Sequence, residues 1–275
     1  LYFDRGQGQI ALMRNIGPCK MIKATNARRI SDWRLRERFA NDLGRLTQTG
    51  KIMFVTKSDT IKAFSLISGR NLSQDWKGKA EFTSPPVYFR GSLFVGDAAG
   101  NYFRFRLALV RGKVVFRQYW RHKSGAPIHS RAIVSLHGLY FGNDRGMVYR
   151  LAPGGGRQYW EYATGAAVRT KPLLLDNILY CGNEAGKISA LDAKSGKVLW
   201  QARLDGAIRA ELLAHRGKLY ALSHSGQLAA LAPRSGMVLW TTRLPGTGTD
   251  ILFSCRDLLY AGSQDGFLYL IANRR

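Results

Sequence analysis

The chain of 275 residues is 45% hydrophobic and carries 30 Gly, enough apolar content for a large core, while no apolar run approaches the roughly 20 residues of a membrane-crossing helix. Forty-two Lys plus Arg against 18 Asp plus Glu give a formal charge of +24. That balance calls for an anionic partner, whether an acidic protein face, nucleic acid, anionic lipid or glycan, with solubility by charge as the alternative.

A 40-residue interval organises the sequence. Tyr140, Gly146, Leu151 and Trp160 return as Tyr180, Gly186, Leu191 and Trp200, and again as Tyr220, Gly226, Leu231 and Trp240; Tyr260, Gly266 and Ile271 open a further copy. A repeat of this length, built of short alternating apolar runs and Gly turns, predicts an all-β propeller of four-stranded blades. In the clearest copy, strand A covers Lys171 to Leu175, and Asp176-Asn177 is a hairpin turn signal. Strand B covers Ile178 to Gly182, strand C Lys187 to Leu191 after a Gly turn, and strand D Lys197 to Arg203 after Ser195-Gly196.

In chain order, Leu1-Tyr2-Phe3 and Gly8 to Leu12 copy strands B and C of a first blade that lacks its strand A, and Trp33 falls at its strand D. Arg28 to Phe39 can alternatively be read as a loop helix. Met53-Phe54 opens strand B of the next blade and Trp76 closes it; Phe94 and Trp120 do the same for blade 2. Trp160, Trp200 and Trp240 follow, so all six Trp occupy one position of six successive repeats, where packing between blades is the expected role. Strand B and C pairs start at residues 2, 53, 94, 140, 180, 220 and 260. The reading is a single propeller over 1–275, with blades around 1–33, 34–76, 77–120, 121–160, 161–200, 201–240 and 241–275. Seven blades are expected, with eight as the alternative. The missing strand D of the last blade and strand A of the first are expected from an upstream segment or a partner strand, and Leu1 in place of an initiator Met leaves room for an upstream signal or lipid anchor.

The segment Ala190-Leu191-Asp192-Ala193-Lys194-Ser195-Gly196-Lys197-Val198-Leu199-Trp200 resembles the tryptophan-docking repeat, A-x-D-x-x-[ST]-G-x-x-x-W, of the PQQ-like β-propeller superfamily. That superfamily includes quinoprotein alcohol dehydrogenases and the outer-membrane assembly lipoprotein BamB. The other copies depart from the motif, with Ala232 in place of the Asp and Pro153-Gly154-Gly155 in place of much of the turn. The resemblance implies either a quinone-dependent enzyme or a binding scaffold in a cell-envelope complex, periplasmic by analogy, with a cytoplasmic location as the alternative.

Residue chemistry favours the scaffold. Every Trp is committed to the repeat, the three Cys, at 19, 181 and 255, are far apart, and the few acidic residues lie mostly in turns, so no quinone and no Ca2+ site is expected. Cys181, inside a strand, reads as a buried thiol, and no disulfide framework or Cys-x-x-Cys metal site is suggested. The five His show no i,i+4 or His-x-His spacing, no G-x-S-x-G elbow occurs, and Gly6-Gln7-Gly8 is too short for a phosphate loop. No cofactor, metal or catalytic residue is therefore assigned.

Two sets of candidate binding residues remain. From the strand B aromatic to the Trp is 20 residues in the later blades but 31, 23 and 26 in the first three, with the extra length mainly between strands C and D. These expanded segments are basic: Arg14, Lys20, Lys23, Arg28 and Arg29 in the first blade, Arg104, Arg106, Arg111 and Lys113 in the third. Residues 1–135 hold 25 basic and 8 acidic residues against 17 and 10 in 136–275. These nine are the candidate contacts to an acidic protein partner in a multisubunit complex, with anionic lipid or nucleic acid as alternatives. The second set follows from Pro127-Ile128-His129, Ala167-Val168-Arg169 and Ala207-Ile208-Arg209, which lead into successive A strands. The apolar residue should pack between blades and its successor point the other way, placing His129, Arg169 and Arg209 at one mouth of the central channel, with Thr249 next in line; there they would attract a carboxylate or phosphate, as in a channel-ligand sensor, or alternatively pair with Asp or Glu of adjacent loops.

Overall fold

The computed structural model describes residues 46–255 and 258–271 together with two short strands, β1 (Tyr2–Phe3) and β2 (Ile10–Ala11), which pair antiparallel. All described elements are strands. β3 (Leu46–Thr49), β4 (Ile52–Lys57) and β5 (Thr60–Ser65) form a meander; β6 (Ser73–Gln74) leaves it for the neighbouring sheet and β7 (Trp76–Lys77) completes it. The next sheet is β8 (Val87–Phe89), β9 (Ser92–Gly96), β10 (Asn101–Val110) and β11 (Lys113–Lys123), with β6 as a fifth, parallel strand on its outer edge. Three regular sheets follow: β12 (Ile133–Val134) to β15 (Gln158–Ala163) through β13 (Leu139–Gly142) and β14 (Met147–Leu151); β16 (Leu173–Leu175), β17 (Ile178–Gly182), β18 (Lys187–Asp192) and β19 (Val198–Arg203); and β20 (Leu213–His215), β21 (Lys218–Leu222), β22 (Gln227–Leu231) and β23 (Val238–Arg243). The last sheet, β24 (Gly248–Cys255), β25 (Leu258–Ser263) and β26 (Leu268–Ile271), has three strands, and among the described residues no fourth pairs with β26.

Apart from the parallel β6, the strands of each sheet run antiparallel in chain order, as the A to D reading requires, and the architecture is that of propeller blades. The strand B assignment, Ile178 to Gly182, coincides with β17. Asp176 and Asn177 both take positive φ, 49° and 61°, the geometry of a tight hairpin turn whose twist matches that of its strands. The core lies between sheets: Tyr180, Ile188, Ala190 and Trp200 from one sheet pack with Ile208, Leu219, Ala221 and Leu231 of the next, all buried. Strand C turns with a register shift after Arg104, Arg150, Ala190 and Ala230, each opposite its Trp. The residue left over in the bulge, Tyr119, Tyr159, Leu199 or Leu239, is thereby turned out to solvent.

The Trp side chains join consecutive sheets. Nε1 of Trp120, Trp160 and Trp200 donates to the carbonyl oxygen of Pro153, Ala193 and Pro233 in the C to D turn of the following sheet, at 3.2, 3.2 and 2.7 Å. Trp76 lies in β7 among Phe82, Phe103 and Phe105, and Trp240 lies in β23 against Tyr220. Trp33 falls outside the described residues, as does Arg28 to Phe39. Cys181 is free and fully buried, and desolvation pushes its thiol up to about 12. Cys255, at the end of β24, is disulfide-bonded, which departs from the expectation of a chain without disulfides.

Candidate functional site

The channel mouth is built by one packing rule. A Cβ on Gly96 would fall 2.7 Å from Cγ2 of Ile128, and Gly142 and Gly182 meet Val168 and Ile208 in the same way. The bare backbone at the end of strand B lets the aliphatic residue leading into the next sheet drop into the core, and Ile128, Val168 and Ile208 are buried. Their N–H groups donate to the carbonyl oxygens of Asp97, Asn143 and Asn183. The side-chain oxygens of Asn143 and Asn183 accept two backbone N–H groups each, and their amides donate back to Ser124 and Thr164, which holds each B to C turn rigid. The residues that follow these anchors, Asp144 and Glu184, then stand beside His129, Arg169 and Arg209.

The structure brings all three predicted channel residues to one cavity of about 440 Å³. Each meets a carboxylate: Nδ1 of His129 lies 3.1 Å from Asp144, Arg169 donates to both Asp144 oxygens at 3.0 and 3.1 Å, and Arg209 donates twice to Glu184 at 3.1 Å. Partial burial disfavours ionisation of Asp144, but hydrogen bonds from Arg169 and His129 outweigh it and hold the carboxyl below its usual range; the same hydrogen bond raises Arg169. Two further cations share the wall, Arg131 and Lys171, the latter 3.5 Å from Glu211. Both sit two residues beyond His129 and Arg169, so strand alternation points to them once the first ring is recognised.

This arrangement predicts a pH signature. A carboxyl with a depressed folded-state pKa contributes stability that is present above its unfolded value of about 3.9 and lost as pH falls through the folded value. Asp144→Asn is expected to lower Tm by about 2–4 °C near neutrality, and thermal melts should converge on wild type below about pH 4. A gap that persists undiminished at lower pH would exclude this ion pair as its source.

The basic segment of the third blade differs from expectation. It is not a loop: β10 and β11 continue as one long hairpin with a two-residue turn, Arg111-Gly112, both at positive φ. Arg106 is the last residue of β10 paired with β9, so about four residues per strand continue past the end of β9, and of these Leu107, Val114 and Phe116 pack into the core with Phe54. Val114 and Val115, opposite Leu109 and Ala108, pair with β6, which braces the hairpin next to its turn. At the tip Arg111 and Lys113 are exposed, as are Leu109 (75%) and Val110 (42%). Arg104 is used differently. It donates to Ser92 Oγ and to the carbonyl oxygens of Pro153 and Gly154 in the next sheet, and lies 4.9 Å from the Tyr119 ring, which Arg106 covers from 4.8 Å. Arg150 repeats the arrangement one sheet on, over Tyr159 and bonded to the carbonyl oxygens of Lys194 and His137. Arg14, Lys20, Lys23, Arg28 and Arg29 lie outside the described residues.

Among the described residues no three His, Cys, Asp or Glu side chains are placed to hold a metal, and no helix is long and apolar enough to cross a membrane. Against curated protein sequences the chain has no significant match. Solved structures with a similar fold include BamB from Moraxella catarrhalis, at a TM-score of 0.70 and 20% identity over 84% of this chain and 70% of that one. The computationally designed Ika8 protein reaches 0.71 at 17% identity over 83% and 70%, and a chain of the mitotic checkpoint complex 0.68 at 12% over 83% and 74%. At these identities the likeness is one of fold. The family model described as outer membrane protein assembly factor BamB matches residues 106–272, well over half of the sequence, and the chain belongs to that family.

Proposed function

We propose that the protein is a non-catalytic propeller scaffold that docks an acidic face of a protein partner within a cell-envelope assembly, through the basic hairpin of β10 and β11. One observation carries the reading: between Asp97 and Asp144 the chain has eight Lys or Arg and no acidic residue, and this stretch contains a braced hairpin with Arg111 and Lys113 at its exposed tip. A braced turn with two exposed cations and two exposed aliphatic side chains suits a partner surface rimmed by carboxylates. Arg14, Lys20, Lys23, Arg28 and Arg29 stay candidate contacts on sequence grounds. Membership of the BamB family supports a role in a complex. We also propose seven blades, the ring being completed by a strand added to the outer edge of β26, which is unpaired among the described residues and whose Leu268 and Leu270 are exposed whereas Leu228 and Ala230, their counterparts in β22, are buried.

The test is charge reversal at the tip. Arg111→Glu with Lys113→Glu should abolish salt-sensitive capture of the partner from native extract and leave Tm unchanged, since exposed charges add little to stability. Arg104 is excluded from the set because its contacts are internal. Reversal of Lys187, Lys194 and Lys197 should leave capture intact. Capture lost on nuclease treatment would replace the protein partner by nucleic acid, and undiminished capture after tip reversal would remove the hairpin from the mechanism.

A further inference from the structure

The antiparallel meander puts A to B and C to D turns at one end of every sheet and B to C turns at the other, so the channel mouth opens on the face opposite the hairpin. We propose that this mouth is a receptor for a small amphiphilic carboxylate, a single anionic head joined to an apolar body. The head would sit on Arg131, Arg169 and Arg209. Arg169 and Arg209 are each fixed through Nε and Nη2 by a carboxylate 25 residues earlier in the chain, and neither Nη1 makes a hydrogen bond among the described residues. A guanidinium already oriented by one carboxylate loses little freedom when its remaining N–H groups take a second. Both arginines are about half exposed. Arg131, on the same wall, has no ion-pair partner among the described residues.

The opposite wall sets the rest of the ligand. Positions 131, 171 and 211 form a charged ring of Arg, Lys and Glu, but one repeat further the ring turns apolar at Ile251, and Phe253 stands beside it. These two side chains are 50% and 41% exposed on the innermost strand of the last sheet. Glu211 and Asp250 also line the cavity, so its field favours one negative charge over several. The volume, about 440 Å³, lies within the 300–1,000 Å³ usual for small-ligand sites.

Octanoate is the probe, titrated calorimetrically into the whole protein with acetate, 1-octanol and citrate as comparison ligands. Octanoate should bind saturably at one site, and each comparison ligand at least about tenfold more weakly, for want of the body, the head or the single charge. Arg131→Gln breaks no ion pair and should weaken octanoate by about tenfold or more with Tm unchanged. Phe253→Ser should weaken it as well, whereas reversal of Arg111 and Lys113 should not, which separates this site from the hairpin. Equal binding of octanoate and octanol, undiminished affinity in Arg131→Gln, or no binding at all would each overturn the proposal.

Discussion

Trp200→Ala is expected to destabilise the protein by about 3–5 kcal/mol, the range for truncating a buried aromatic side chain. Trp200 is 8% exposed, lies tilted against Tyr180 with ring centroids 5.7 Å apart, and covers Gly236 so closely that a Cβ there would fall 2.5 Å from its ring. Its Nε1–H donates at 2.7 Å to Pro233, so truncation also leaves a half-buried carbonyl oxygen of the next sheet without its donor. Trp200→Phe retains most of the ring burial and should cost less, by about 1 kcal/mol or more. Urea midpoints for the two variants provide the comparison. Because the contact joins two sheets rather than strands of one, the loss should also increase proteolytic nicking of the C to D turn around Pro233 and Arg234. A loss below about 1 kcal/mol for the Ala variant would show that sheet-to-sheet adhesion rests on the strand B aromatics and not on the docked indole.

The second large effect concerns the glycine that precedes each B to C turn. Gly182→Leu places a Cβ 2.5 Å from Cγ2 and 2.7 Å from Cβ of Ile208, contacts that no rotamer of Ile208 relieves at its own Cβ. Overpacking of this kind costs about 1–3 kcal/mol and here belongs at the upper end. The chain itself contains the compensated form. One repeat later Leu222 stands where Gly182 stands, and Gly248 stands where Ile208 stands, with a Cβ on Gly248 meeting Leu222 Cγ at 3.0 Å. The double variant Gly182→Leu, Ile208→Gly should therefore recover at least half of the loss, a positive coupling in a double-mutant cycle. If the double variant is no more stable than Gly182→Leu alone, the pairing is coincidental.

The 40-residue period was sufficient to predict strands, their order and the sheet-by-sheet architecture, because alternation and turn chemistry act within a few residues. Asp176-Asn177 is legible as a turn for that reason, and so are the places of Trp120, Trp160 and Trp200. Alternation likewise carried Ile128, Val168 and Ile208 inward and His129, Arg169 and Arg209 to the channel. The hairpin was less legible. A run such as Leu107 to Val110, followed by Arg111-Gly112 and Lys113 to Phe116, satisfies a strand pair as well as a loop, and only the brace from β6 and the packing of Leu107, Val114 and Phe116 on Phe54 select the strands. Arg104 could be read as a surface charge until the bulge at Tyr119 and the turn of the next sheet were placed around it.

What the sequence by itself determined was therefore everything set by neighbours in the chain: the blade repeat, the turns, the docked Trp and the direction in which each channel residue points. What the tertiary structure alone decided was which groups meet across sheets. Asp144 and Arg169, or Glu184 and Arg209, are 25 residues apart and belong to different blades, and no local preference relates them. Their pairing depends on how far one sheet is rotated against the next, a quantity set by the summed packing of glycines, aliphatics and indoles between the sheets. That same rotation leaves Nη1 of each guanidinium without a hydrogen bond among the described residues.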